Sequence, residues 1–144
     1  MLKALYPIQC MTDYITEFKT YTNNPFTLSP FQDKACEAII KKQHVLVTAH
    51  TGSGKTLPAE FAIFYYVHIL KKRVIYTSPI KALSNQKYKE FKEKFPNMEI
   101  GILTGDIKHN PEANVLIPIN QFAHKSHTPI SKSIKVKIVK HKLS

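Results

Sequence analysis

The sequence predicts an α/β fold, a parallel sheet with helices packed on both faces. Short apolar runs rich in β-branched residues alternate with longer segments of helical periodicity. A glycine turn, Gly52 to Gly54, stands between the first of those runs and the most apolar helical segment. The chain is 144 residues long with 43% hydrophobic content, which suits one ordinary domain with a core of its own.

Residues 1–25 give a weak helix around Asp13 to Lys19 and then the turn signal TNNP. In SPFQDKACEAIIKK, Ser29 is a good N-cap and Pro30 suits the first helical position. Gln32 stands three residues after the cap, as in a capping box. Phe31, Ala35, Ala38 and Ile39 follow helical spacing. HVLVTA, His44 to Ala49, has the composition of a buried strand, and the segment from Lys55 to Leu70 that of a buried helix. RVIYTSP, Arg73 to Pro79, is a second strand, and Ala82 to Lys94 an exposed helix. EIGILTGD, Glu99 to Asp106, is a third strand with a turn, and NVLIPI, Asn114 to Ile119, a fourth. SIKVKIVKHKL alternates apolar and basic residues, which fits a half-exposed strand or a solvated basic tail equally.

Lys and Arg outnumber Asp and Glu by 21 to 10, a formal charge of +11. Such an excess suits polyanions (nucleotides, RNA, DNA or an anionic membrane surface) and suits a merely lysine-rich surface as well. Arg73 is the only arginine, so basic contacts are point charges rather than bidentate forks. The two cysteines, Cys10 and Cys36, give neither a disulfide framework nor a metal pattern. The longest apolar stretch, Leu57 to Leu70, is too short to span a bilayer and contains Glu60 and His68. With no signal-peptide pattern at the start, the expectation is an intracellular protein, cytoplasmic or nuclear and not secreted, without a membrane partner.

AHTGSGKT carries the clearest chemistry. A strand aims the turn at the crevice beyond the sheet's carboxyl edge. Gly52 and Gly54 let the backbone fold tightly and turn its N–H groups toward phosphate oxygens. The helix that follows adds its positive N-terminal end. Lys55 reaches the β- and γ-phosphates and Thr56 holds Mg²⁺. The nucleotide-binding residues are thus Ala49, His50, Thr51, Gly52, Ser53, Gly54, Lys55 and Thr56; the usual pattern begins with glycine, and here that position is Ala49. The plain alternative is a glycine turn that happens to precede a helix. The required order of strand, loop and helix favours a nucleoside triphosphate.

The spelling A-x-T-G-S-G-K-T resembles the first motif of superfamily 2 helicases. FTLSPFQDKACEAI, Phe26 to Ile39, is similar to their upstream segment, which implies an adenine contact for Gln32. YTSPIKALSNQKYKEF, Tyr76 to Phe91, resembles the next motif and implies nucleic-acid contacts at Ser78, Pro79 and Lys81. GILTGD, Gly101 to Asp106, resembles the one after it and adds Thr104 and Gly105. Together, over about residues 26–117, the segments resemble the superkiller-two (Ski-two) subfamily of DExH-box RNA helicases. The resemblance implies an incomplete first RecA-like P-loop NTPase domain over 26–119. An N-terminal extension, 1–25, precedes it and a divergent basic tail, 120–144, follows. It further implies ATP and Mg²⁺ as cofactors and single-stranded RNA (or DNA) as partner.

In that family, ANVLI continues into a Thr-Thr-Glu segment and then Asp-Glu-x-His. Here it continues as PINQFAHKSHTPIS. No Asp-Glu pair occurs in the sequence, and Glu112 is the only acidic residue after Asp106. The family's second RecA-like domain, with its arginine finger, has no counterpart here, so another chain would have to supply that half. The expected function is ATP binding without hydrolysis or unwinding by this chain alone, and no catalytic residue is assigned. A non-enzymatic nucleic-acid-binding decoy or regulator, and a fragment without function, stay open. So do plain roles for single residues: Gln32 as a capping-box member, and Ser78, Lys81 and Thr104 as strand-end and turn residues. His124 and His127 lack partner ligands nearby and fit a surface better than a metal site. Phe61, Phe64, Tyr65 and Tyr66 fit a core better than a platform for bases.

Overall fold

The computed structural model describes residues 8–47, 52–77, 81–118 and 133–137. Helix α1 spans Ile8–Thr22 and α2 spans Pro30–Ile40. Helix α3, Thr56–Ile63, continues as a π-helical segment, Phe64–Ile69. Strand β1 is Arg73–Thr77, helix α4 Lys81–Lys94, β2 Ile100–Leu103, β3 Lys108–His109, β4 Val115–Pro118 and β5 Ser133–Lys137. These five strands form one sheet in the order β3-β2-β4-β1-β5. All neighbours pair in parallel except β3, which turns back antiparallel on β2.

Helix α1 is longer than its weak local signal. Its threonines bond back to the preceding turn, Thr16 to the Thr12 carbonyl and Thr20 to the Thr16 carbonyl, a habit that does little for a helix by itself. Tertiary packing offsets this. Phe18 is fully buried and meets Phe61 and Phe64 edge-on or tilted at ring-centroid distances of 5.5 and 5.4 Å. Each such ring removed from water contributes roughly 1.5–3 kcal/mol. Tyr21 bridges Phe64 and Phe95, and Lys94 reaches Glu60 at 2.7 Å. Helices α1, α3 and α4 are therefore linked through these side chains. Tyr76 of β1 meets Phe91 of α4 at 5.1 Å, and Val74, Val115 and Ile117 join the same buried cluster. Phe61, Phe64, Tyr65 and Tyr66 all lie in that core, as their composition suggests. Cys36 is buried there too, and burial pushes its thiol up to about 12, so it stays neutral.

Helices α1 and α2 end on residues in the left-handed region, Asn23 and Lys42. The N–H groups of Asn24 and Gln43 then close back onto the Lys19 and Ala38 carbonyls at 3.1 and 2.9 Å. No helix among the described residues is long and apolar enough to cross a membrane.

One expected strand differs. Within HVLVTA, His44 to Val47 lie outside the sheet and Leu46 is 72% exposed; Thr48 and Ala49 fall outside the described residues. Both edges of β1 are already taken, by β4 and by β5. The alternating segment near the C-terminus resolves in favour of a strand, since Ser133 to Lys137 pair residue for residue with Arg73 to Thr77.

Candidate functional site

Chain direction places the site. Helix α3 and its π-helical continuation rise about 21 Å at 1.5 Å per residue and end just before β1 begins. β1 climbs about 16 Å the other way. The loop that opens α3 therefore stands level with the carboxyl end of β1. Helix α4 starts just after β1, so Lys81, its first residue, is at that same edge. The Thr104–Asp106 turn follows β2, which is parallel to β4 and in register with β1 through it. One edge of the sheet thus gathers the glycine loop, the start of α4 and the turn after β2, the arrangement in which parallel α/β sheets bind ligands.

Within the loop, Gly52 and Gly54 have φ of +85° and +81°, a region open to glycine and costly for other residues. A Cβ on Gly52 would meet nothing within 4 Å among the described residues. A Cβ on Gly54 would lie 2.5 Å from Gln32 Nε2. That close approach comes with a hydrogen bond: Gln32 is 7% exposed, its Nε2 donates to the Gly54 carbonyl at 3.0 Å, and its Oε1 accepts from the Ser29 N–H at 2.9 Å. The capping-box reading of Gln32 holds, and the same side chain has a second, tertiary partner. It closes the start of α2 and ties that start to the loop 22 residues onward. The carboxamide keeps one N–H and one acceptor direction for a further partner. The Gly54 carbonyl also accepts from the Leu57 N–H at 3.3 Å. Lys55 and Thr56, both half-buried, then lead into α3.

These features fit a polyphosphate. For a divalent cation the described residues offer the Thr56 hydroxyl. No group of three or more His, Cys, Asp or Glu side chains converges among them, so phosphate oxygens and water would complete the shell.

Substituting the loop glycines tests this geometry. Gly52→Ala carries backbone strain alone, whereas Gly54→Ala also displaces the Gln32 carboxamide. The first should cost about 1–2 kcal/mol and the second about 1 kcal/mol more, read from urea unfolding midpoints. Equal losses would show that the Gln32 contact contributes nothing to the fold.

Lys81 and the turn after β2 meet directly, through an ion pair between Lys81 Nζ and the Asp106 carboxylate. That contact holds the Asp106 carboxyl below its ordinary range, first through the hydrogen bond from Lys81 and then through its charge. Thr104 is only 4% exposed; its Oγ1 accepts from the Ile107 N–H at 3.0 Å and its own N–H donates to the Ile107 carbonyl at 2.7 Å. Its side chain serves the turn, and exposed Gly105 and Asp106 form the tip. Ala49, His50, Thr51, Ser78 and Pro79 lie outside the described residues, as do His124 and His127. Sequence reasoning did not find the Gln32–Gly54 bond or the Lys81–Asp106 pair. Neither leaves a local pattern, although the motifs containing them were apparent.

The family model for the DEAD/DEAH box helicase matches residues 29–137, from the residue that caps α2 to the last residue of β5. Antiviral helicase SKI2 of Saccharomyces cerevisiae is 50% identical over 93 residues, 65% of this chain and 7% of that protein. ATP-dependent RNA helicase mtr4 of Schizosaccharomyces pombe is 47% identical over 111 residues, 77% of this chain and 9% of that protein. Exosome RNA helicase MTR4 of Homo sapiens is 50% identical over 93 residues, covering 65% and 9%. The chain thus spans a small part of the curated relatives it matches. Among solved structures, the Mycobacterium smegmatis helicase Lhr bound to ssDNA and AMP-PNP aligns with a TM-score of 0.52 and 26% identity, covering 76% of this chain and 16% of that one. With a mixed, mostly parallel sheet, a glycine loop at its carboxyl edge and this density of shared sequence, the chain has an α/β RecA-like fold and belongs to the DEAD/DEAH box helicases, on the side of the Ski2- and Mtr4-type RNA helicases.

Proposed function

We propose that this chain binds ATP through the loop ending in Lys55 and Thr56, and single-stranded RNA along the same sheet edge, and that by itself it neither hydrolyses ATP nor unwinds a duplex. The observation that carries the reading is the gathering of the Gly52–Thr56 loop, Lys81 and the Thr104–Asp106 turn at one edge. The comparison with Lhr supports it, since that helicase is described with an adenine nucleotide analogue and a single strand. In this reading the loop N–H groups and Lys55 hold the phosphates, and Thr56 contributes one oxygen to Mg²⁺. Gln32 keeps the loop in shape and offers its remaining N–H and acceptor to the base. Ser78, Pro79, Lys81 and the backbone of Thr104 and Gly105 line the path of the strand. Residues 26–119 form the nucleotide-binding part, and residues beyond 119 add a basic flank. Hydrolysis would require metal-binding carboxylates and a second wall facing the loop.

A second reading, a basic binding module indifferent to nucleotide, is favoured by the charge of +11 and by six lysines with no acid after Ile119. Fluorescence anisotropy with single-stranded RNA separates the two. The helicase-like reading expects RNA affinity to change when ATP is added; the module reading expects no change. In both, log affinity falls linearly with log salt, by about 0.7 for each phosphate contacted. Because β5 belongs to the sheet, the tail is tested by substitution rather than by truncation. Changing Lys125, Lys132, Lys140 and Lys142 to glutamine should flatten the salt slope by roughly 2–3 units if the tail carries most contacts. An unchanged slope assigns binding to the motif edge.

A further inference from the structure

We infer that Asp106 is an internal stand-in for a nucleic-acid phosphate, holding Lys81 until an incoming phosphodiester displaces it. The inference rests on the reading that this edge of the sheet binds a single strand, and it adds a device that regulates that binding.

The pair joins residues 25 positions apart, from two separate elements. Lys41–Glu37 and Lys87–Glu90 are neighbours on one helix, where such contacts arise from spacing alone, whereas Lys81–Asp106, like His68–Glu17 and Lys94–Glu60, joins separate elements, and of these three it has the most exposed carboxylate. Stability does not account for the Lys81–Asp106 contact. The two side chains are 45% and 73% exposed, and ion pairs of that kind contribute little. Helix α4 has no acidic residue in its first turn, so the anion beside its first residue is brought in from the turn after β2. That turn is braced from below by the paired Thr104–Ile107 hydrogen bonds, which leave Asp106 outward at the tip. A carboxylate in this place has the single negative charge of a phosphodiester and likewise offers one lysine an oxygen acceptor.

The consequence is an exchange. When a strand arrives, Lys81 changes its anion from carboxylate to phosphate, and Asp106 returns to water. Apparent affinity is therefore lower than Lys81 alone would give, and one fewer counterion is released. A polyanion must make several contacts at once to complete the exchange, so the device disfavours single phosphates and short fragments over a continuous strand.

The experiment is anisotropy of a labelled single-stranded RNA with the full chain at several salt concentrations. The proteins are the native chain, Asp106→Asn, Lys81→Ala, the double variant, and Glu112→Gln. Glu112 is exposed and precedes β4, so it lies at the opposite edge of the sheet and controls for net charge. Expected is a two- to fivefold tightening, roughly, for Asp106→Asn. Its salt slope should steepen by about 0.7, one phosphate contact. The gain should vanish in the double variant, and Glu112→Gln should match the native chain. Unchanged urea midpoints would exclude an effect on folding. If Glu112→Gln tightens binding as much, or the double variant keeps the gain, the effect is bulk repulsion and the stand-in is overturned. If the native chain binds RNA with the expected salt dependence but Asp106→Asn is no tighter, the stand-in fails while the RNA reading survives. If no form binds at low salt, both fall.

Discussion

Replacing Lys55 with alanine should abolish ATP binding, while the native chain should bind it with a dissociation constant of about 0.1–1 mM, worth roughly 4–5.5 kcal/mol. The weak native affinity follows from the architecture. The loop has its glycines at φ of +85° and +81°, its shape is secured by Gln32, and α3 begins directly behind it. Those features are pre-organised and should need little rearrangement to accept phosphate. The described residues form one wall of a cleft, without an opposing wall to enclose the base, the ribose and the outer phosphate. In the variant, the loop N–H groups and the helix end remain, but no flexible cation reaches the β- and γ-phosphates. Calorimetric titration with Mg·ATP reads both proteins. Equal heats and equal affinities would mean that nucleotide binds elsewhere or only through bulk charge.

Phosphate release from ATP should stay at the no-protein background, with or without RNA. Phosphoryl transfer depends on positioning and on charge stabilisation, and an arginine finger alone is worth about 10³–10⁵ in rate. The sequence contains no Asp-Glu pair, and Glu112 is the only acidic residue after Asp106. Glu112 itself sits at the amino edge of β4, away from the loop. Among the described residues no group of three or more His, Cys, Asp or Glu side chains converges. Labelled ATP with a phosphate-capture assay is sufficient. Release that rises with RNA and disappears in Lys55→Ala would overturn the reading, and would point to a carboxylate supplied by a second copy.

How much of this was legible in the sequence follows from the range of the interactions. Helix α2 was legible because Ser29, Pro30 and Gln32 are local signals that act on their own backbone. β1, β2 and β4 were legible because each is a short apolar run bounded by turn residues. His44 to Val47 have the same composition, yet composition cannot reveal whether a sheet edge is free to accept them, and both edges of β1 are occupied. β3 is two residues long, below the reach of any periodicity. The alternation in β5 was visible, but its partner was not, because nothing local couples Lys135 to Ile75. At the site, residue types and order identified the loop, while the bonds that shape it, Gln32 to Gly54 and Lys81 to Asp106, are tertiary and emerged only with the fold.

The pairing of β5 with β1 also has a consequence for how the chain is made. Arg73 waits for Ser133, sixty residues later (133 − 73), so β1 lacks its β5 neighbour until those sixty residues have been made and have left the ribosome. Meanwhile a strand with Val74 and Tyr76 on its core face presents an open row of N–H and C=O groups to any other nascent chain. Contacts this far apart in sequence form late and slowly. The interval between synthesis of residue 77 and residue 137 is thus the period of greatest aggregation risk, and the stretch of synthesis in which a chaperone holding the β1 edge would raise the yield of folded protein most.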